Sequence, residues 1–377
     1  MKVLQLIQKR QLRGAEIFAC QLSNHLADGG HEILLISLLP GDAPLPYHGK
    51  SVQLNRSLHK RFLDYAGWKM LFKEIREFKP DIVQANAGDT LKFAVFSKLL
   101  FRWKAPIIFR NANKVSEFIN SWPKWIFNKF LFGFVDHVIS VSELCRQDFI
   151  RTYSFHQEKT TMVPIGIEPH LTIAPLPSDL APIFSSWKVI VNIASFVPEK
   201  NHIGLLRIVR SLIEKETNLQ VLLIGDGKLK REIEQQIIDL NLAGNVKLLG
   251  FRNDVLPILT HAQAFILPSN IEGLPAVILE AMFCRTPVIA YDTGGIPEVV
   301  RNDQTGWLIK SGDENGFTDA IRKVLHSRNL DNIRDNAYKM VVAEYTNKSI
   351  VERFLAVYQQ VLNNKKRLPE TSSDRKN

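Results

Sequence analysis

Several features are scarce in this chain of 377 residues, and each scarcity removes a class of protein. There are three cysteines, Cys20, Cys145 and Cys284, odd in number and far apart, so a disulfide framework and a zinc cluster are both excluded and a reducing compartment is expected. No apolar run reaches the roughly 18–20 residues that span a bilayer. A short Val3–Ile7 stretch runs into Lys9, Arg10 and Arg13 with no small-residue cleavage site; it does not read as a signal peptide, and a cytoplasmic location is expected. Basic residues never run together for more than a few positions and none of the usual recognition motifs occurs, so nucleic acid is not an expected partner. No Asp-x-Asp stands at a strand end to hold a divalent cation.

What is present describes a folded protein. Apolar residues make up 45% and charged residues 23%, which excludes a disordered or collagen-like chain, and the length suits two domains of similar size. The net charge is +10, a surplus that attracts phosphates of some kind, whether in nucleic acid, anionic lipid or a phosphorylated small molecule. Residues 1–180 hold 23 basic and 16 acidic groups, residues 181–377 hold 25 and 22, so most of the excess sits in the first half.

Strand-like and helix-like runs alternate from end to end. The first half offers strands at Val3–Ile7, Glu32–Ser37, Asp81–Asn86, Pro106–Arg110, His137–Val141 and Thr161–Pro164, with amphipathic stretches Ala15–Leu26, Phe62–Phe78, Thr90–Leu100 and Trp122–Phe134 between them. That is the pattern of a parallel sheet covered on both faces. Residues 167–187, with Pro169, Pro175, Pro177 and Pro182, break the rhythm and read as an interdomain linker. The rhythm resumes at Lys188–Ala194 and continues through Leu219–Gly225, Val246–Phe251, Ala264–Pro268, Pro287–Tyr291 and Trp307–Ile309. The expected organisation is an α/β protein of two doubly wound domains, 1–166 and 188–345, then a helix over 346–364 and a disordered tail over 365–377. Ligands of such sheets bind beyond the carboxyl ends of the strands, and two such sheets facing each other would make a cleft.

The densest local signal is Ser269-Asn270-Ile271-Glu272-Gly273-Leu274-Pro275, which follows an apolar strand and enters a helix carrying Glu280. Free amides at the helix start, from Leu274 on, suit a phosphate or sugar oxygen, and a carboxylate pair suits a polyol. On spacing alone, Glu272 as a helix cap and Glu280 as a solvated residue is an equal reading. The segment resembles the paired-glutamate signature of retaining glycosyltransferases of family four, which have the two-domain GT-B fold with a C-terminal helix crossing back to the first domain. The resemblance implies that Glu272 contacts the transferred sugar and Glu280 the nucleotide ribose.

Other segments resemble the same family in the same order. Phe196-Val197-Pro198-Glu199-Lys200-Asn201-His202 is similar to the loop whose lysine, here Lys200, binds the donor diphosphate. Ser195 stands where the family usually has an arginine. Leu222-Leu223-Ile224-Gly225-Asp226-Gly227 resembles a strand and Gly-x-Gly turn; each residue reads equally as a plain turn, although Gly225 and Gly227 would let a ligand approach the backbone. Gly250-Phe251 resembles the strand end that holds the base, and Asp292-Thr293-Gly294-Gly295-Ile296-Pro297-Glu298 a turn that is mostly structural. Arg13-Gly14-Ala15-Glu16 resembles the N-terminal glycine loop, with Arg13 in place of its first glycine and in a position to replace the charge Ser195 lacks. The stretch around Ala112 has none of the family's usual histidine beside the sugar C6 hydroxyl. Asn86, Arg110, Asn111 and Asn113 are candidates to line an acceptor pocket, and each reads equally as satisfying a local turn.

The implied activity moves a sugar, with UDP as the favoured nucleotide, to an acceptor hydroxyl in cell-surface polysaccharide, lipopolysaccharide or glycolipid synthesis. The donor is substrate, and neither a metal nor another cofactor is expected. A protein of the same fold that binds nucleotide sugars without catalysis is the alternative; the intact glutamate pair argues against a nucleotide-sugar epimerase. Three segments mixing aromatics with cations, residues 59–79, 101–104 and 122–130, suggest peripheral contact with an anionic membrane and a sugar or lipid-linked saccharide acceptor. The competing reading places each aromatic in the core and each lysine in solvent.

Overall fold

The computed structural model describes residues 1–57, 59, 63–169 and 174–367 and divides into two compact units, residues 1–164 with 347–377 and residues 165–346. The first unit is built on seven parallel strands: β1 (Lys2–Lys9), β2 (Glu32–Leu39), β3 (Ser51–Gln53), β4 (Ile82–Ala85), β5 (Ile107–Asn111), β6 (His137–Ser140) and β7 (Thr160–Met162). They lie in the order β3-β2-β1-β4-β5-β6-β7. The second unit has β8 (Lys188–Ile193), β9 (Leu219–Ile224), β10 (Val246–Gly250), β11 (Ala264–Leu267), β12 (Val288–Tyr291) and β13 (Trp307–Ile309), ordered β10-β9-β8-β11-β12-β13 and again all parallel.

Strands of this kind read as nearly continuous apolar runs because helices cover both faces: β9, Leu-Gln-Val-Leu-Leu-Ile, is buried at all six positions, with Gln220 its one polar residue. The covering helices bury one stripe each. In His202–Ile213, Leu205, Leu206, Ile208, Val209 and Leu212 are buried at helical spacing and join Val221, Leu223 and Ile266 in one core. Asn201 starts that helix from the left-handed region (φ 54°), its Oδ1 accepting the Gly204 amide at 3.2 Å.

The stretch 167–187 belongs to the second unit and is more than a connector. Pro182 sits in the first turn of a short helix, Ala181–Ser186, where its fixed φ fits, and Leu180 is buried against Val189, Val191, Leu222 and Ile224. The last helix, Asn347–Arg367, returns to the first unit, where Phe354 lies 5.9 Å from Phe18. It runs past the expected end at 364; the rest of the expected tail lies outside the described residues. Several helices are absent from the sequence reading, among them Glu143–Tyr153 and Asp331–Glu344. Among the described residues no helix is long and apolar enough to cross a membrane.

Candidate active site

In the second unit, β8 and β11 are parallel neighbours, so the loops leaving their carboxyl ends meet. The β8 loop closes with a turn of 3-10 helix, Pro198–Lys200, and the β11 loop carries Glu272. Lys200 Nζ donates to Glu272 Oε1 at 2.5 Å, with the glutamate buried and the lysine partly open to solvent. The backbone fixes this pairing. The Glu199 carbonyl accepts from the amides of Asn270 (2.8 Å) and Ile271 (3.2 Å), and Asn201 Nδ2 donates to the Pro268 carbonyl at 3.0 Å. The two motifs thus form one structure, although they are 72 residues apart.

A third loop buttresses the second. Gly295 donates to the Gly273 carbonyl at 2.5 Å and Thr293 Oγ1 to the Ser269 carbonyl at 3.1 Å. Gly294 has φ 59°, and a Cβ there would lie 2.0 Å from the Glu272 carbonyl oxygen, so only glycine permits this approach. Leu274 is buried, and Pro275 caps the helix Ala276–Phe283, whose first amides have no intrahelical acceptor. Glu280, five residues into that helix, is half-buried, and its carboxylate forms no hydrogen bond or ion pair among the described residues. Burial raises its carboxyl to about 7.

The glycines of the Gly-x-Gly turn are required by the packing of the turn itself. A Cβ on Gly225 (φ 147°) would lie 2.0 Å from the Ala194 carbonyl oxygen, and one on Gly227 would lie 2.4 Å from that of Phe196. The space on the Cβ side is filled by the chain leaving β8, so these residues shape the base of the Ser195–Lys200 loop. Gly250 (φ 68°) turns the chain at the end of β10, and the Phe251 ring beyond it is 53% exposed. His202, quoted in the sequence only as part of a motif, is buried edge-on to Phe196 at 4.8 Å, with neither ring nitrogen hydrogen-bonded among the described residues; burial, then the Lys200 charge, lowers it to about 4.

In the first unit, Arg13 is exposed at the start of the helix Gly14–Asp28, and a Cβ on Gly14 would meet no atom within 4 Å. Two acceptor candidates prove to be internal. Asn86 Nδ2 donates to Gln5 Oε1 (2.9 Å) and the Leu6 carbonyl (3.1 Å), while its Oδ1 accepts from Gln84 Nε2 (2.9 Å); Tyr358 completes the group by donating to Gln84 Oε1 at 2.5 Å. Asn111 Nδ2 donates to Ser140 Oγ and the Cys145 carbonyl, both at 3.3 Å. Their amides tie strands together and are committed. Asn113 is exposed, and Arg110 is buried at the end of β5.

Most aromatics of the three cation-rich segments face inward. Phe72, Phe101 and Phe127 pack on the core and Trp103 is buried, whereas Trp122, Ile126 and Phe130 stand exposed four residues apart on one helix. Lys60, Arg61 and Phe62 lie outside the described residues. Among the described residues no three His, Cys, Asp or Glu side chains converge as metal ligands would.

Two parallel-sheet Rossmann-like units, the last helix returning to the first, define a GT-B protein, and solved structures agree. The chain superposes with a TM-score of 0.81 on the Anabaena protein HepE solved with UDP and glucose, at 20% identity over 96% of this chain and all of that one. Residues 12–171 match the family described as Glycosyltransferase Family 4, and residues 181–340 that described as Glycosyl transferases group 1. The chain belongs to the group 1 glycosyltransferases. It is 25% identical over 347 residues to the sulfoquinovosyl transferase of Arabidopsis thaliana, covering 85% of this chain and 65% of that one. It is 30% identical over 185 residues to the N-acetyl-alpha-D-glucosaminyl L-malate synthase of Bacillus anthracis, covering 49% and 48%. The chain therefore spans about half to two thirds of the length of these curated relatives.

Proposed function

We propose that this protein transfers a sugar from a nucleotide-diphosphate donor, UDP-linked by preference, to an acceptor hydroxyl with retention at the anomeric carbon. The observation that carries the reading is the Lys200–Glu272 pair, one cation and one buried carboxylate held at the ends of adjacent strands beside a helix N-terminus. Donor diphosphate would take the Lys200 ammonium from Glu272, leaving that carboxylate for the sugar hydroxyls. As the anomeric C–O bond to the diphosphate breaks, Lys200 and the first amides of Ala276–Phe283 meet the charge developing on the leaving oxygen. The acceptor oxygen bonds to the anomeric carbon on the same face, and its proton passes to the departing phosphate. Glu280 would hold the ribose and Phe251 lie by the base. Charge compensation by Lys200 and amides requires no divalent cation, so chelation by EDTA should leave turnover unchanged.

The acceptor belongs, in this reading, to cell-surface polysaccharide, lipopolysaccharide or glycolipid synthesis on the cytoplasmic membrane face. What supports membrane contact is the exposed row Trp122, Ile126 and Phe130 flanked by exposed Lys124 and Lys129. Anionic vesicles at low salt should co-sediment the protein and lose it when the three residues become serine. The decisive test of transfer is product formation from labelled UDP-sugars by wild type, K200A and E272A. Activity lost in both variants with the fold intact supports the proposal; donor binding without turnover across donors and acceptors would establish the non-catalytic alternative.

A further inference from the structure

Arg110 is the penultimate residue of β5, at the carboxyl end where parallel sheets bind ligands. It is 3% exposed, its guanidinium rests 4.4 Å from the Phe18 ring centre, and its Nε and Nη1 have no hydrogen-bond partner among the described residues. Burial lowers it to about 10, which still leaves it charged at neutral pH. Glu16 attracts it without forming an ion pair among the described residues, and that carboxylate already accepts from Gln11 Nε2 at 3.0 Å. Next to it, by contrast, the Gln5, Gln84, Asn86 and Tyr358 group pairs its polar atoms internally. A buried cation beside a satisfied network is costly unless something absent from the chain completes it.

The completing group has to be an anion. The planar N–H donors of a guanidinium suit the oxygens of a carboxylate, sulfonate or phosphate; Nε–H and Nη1–H point away from each other and so each offers a single hydrogen bond, and the aromatic face behind the guanidinium fork orients its plane. We propose that Arg110 is the recognition residue for an anionic group on a substrate of this protein. The inference rests on the transferase reading for the word substrate. The group could be the acid of the transferred sugar or an acid of the acceptor, and the chemistry of recognition is the same.

Calorimetric titration of the full chain separates the two sources. If the anion is on the donor, wild type binds UDP-glucuronate at least tenfold tighter than UDP-glucose and R110Q abolishes that preference. If it is on the acceptor, UDP-saturated wild type binds inorganic phosphate, R110Q loses that binding at least tenfold, and affinity for UDP is unchanged. R110K keeps the charge without the fork and should fall between them in whichever arm responds; it also serves if R110Q does not fold. Wild type showing neither the donor preference nor phosphate binding, or R110Q and R110K matching it in both arms, overturns the proposal. Failure of UDP itself to bind would sink the transferase reading, while phosphate titration without UDP would still report on Arg110.

Discussion

Replacing Gly294 by alanine tests whether the third loop sets the position of Glu272. An alanine at φ 59° is in the left-handed region, which costs about 1–2 kcal/mol for a residue with a Cβ. Its Cβ would also start 2.0 Å from the Glu272 carbonyl oxygen, well inside van der Waals contact, so one of the two loops has to retreat by more than about 1 Å. Adding the lost Gly295–Gly273 bond at about 1 kcal/mol, the total is about 2–3 kcal/mol. For a unit of this size that lowers Tm by about 4–12 °C. Because a misplacement of about 1 Å at reacting groups costs on the order of 100-fold in rate, turnover should fall by that factor even where the protein remains folded. Differential scanning calorimetry and single-turnover transfer from a UDP-sugar, both below the lowered Tm, measure the two effects. G294A with wild-type Tm and wild-type turnover would refute the reasoning, and a lowered Tm with full turnover would show that the loop supports the fold without positioning Glu272.

Other perturbations separate binding from folding. Gly14→Ala places a Cβ in open space at a helix start, so stability should hold or rise by about 0.4–1 kcal/mol while UDP-sugar binding weakens; unchanged binding removes Gly14 from the site. Arg13→Ala should weaken UDP binding less than Lys200→Ala, and equal affinity to wild type dismisses Arg13. The Glu280 carboxyl, raised to about 7 from 4.5, binds a proton more tightly folded than unfolded, so its contribution to stability is fully present below about 4.5 and lost as pH rises toward 7. Glu280→Gln should therefore gain stability over wild type between pH 5 and pH 8, read as urea midpoints; a constant difference contradicts the assignment. Tyr358→Phe leaves the buried Gln84 carbonyl without its donor and should cost about 1–3 kcal/mol, measured by urea unfolding.

The doubly wound pattern was legible because strands such as β9 are apolar at all but one position and helices such as His202–Ile213 carry a buried stripe at helical spacing. The three-residue edge strand β3 was not, being too short for any period to register. Helix Asp331–Glu344 buries only Ala337 and Val341, so its sequence resembles solvent-facing chain. At the site, residue types at strand ends marked Lys200 and Glu272, but the local sequence holds no sign of their direct contact, which depends on the pairing of β8 with β11. The close packing of Gly225 on the Ala194 carbonyl was hidden for the same reason, since it is decided by a segment about thirty residues earlier. Asn86 and Asn111 likewise look available until the strands beside them supply partners.

The return of Asn347–Arg367 to the first unit has a consequence for synthesis. Ile350, Phe354 and Tyr358 are fully buried there, so a ribosome that has released residues 1–164 has released an incomplete core. The second unit, contiguous from 165 to 346, can close on itself before the first is finished. The usual order, amino-terminal domain first, is inverted for the final step. Until residue 358 emerges, Gln84 and its neighbours wait without the hydroxyl that joins them, and the nascent first unit is the part of the chain most in need of protection from aggregation.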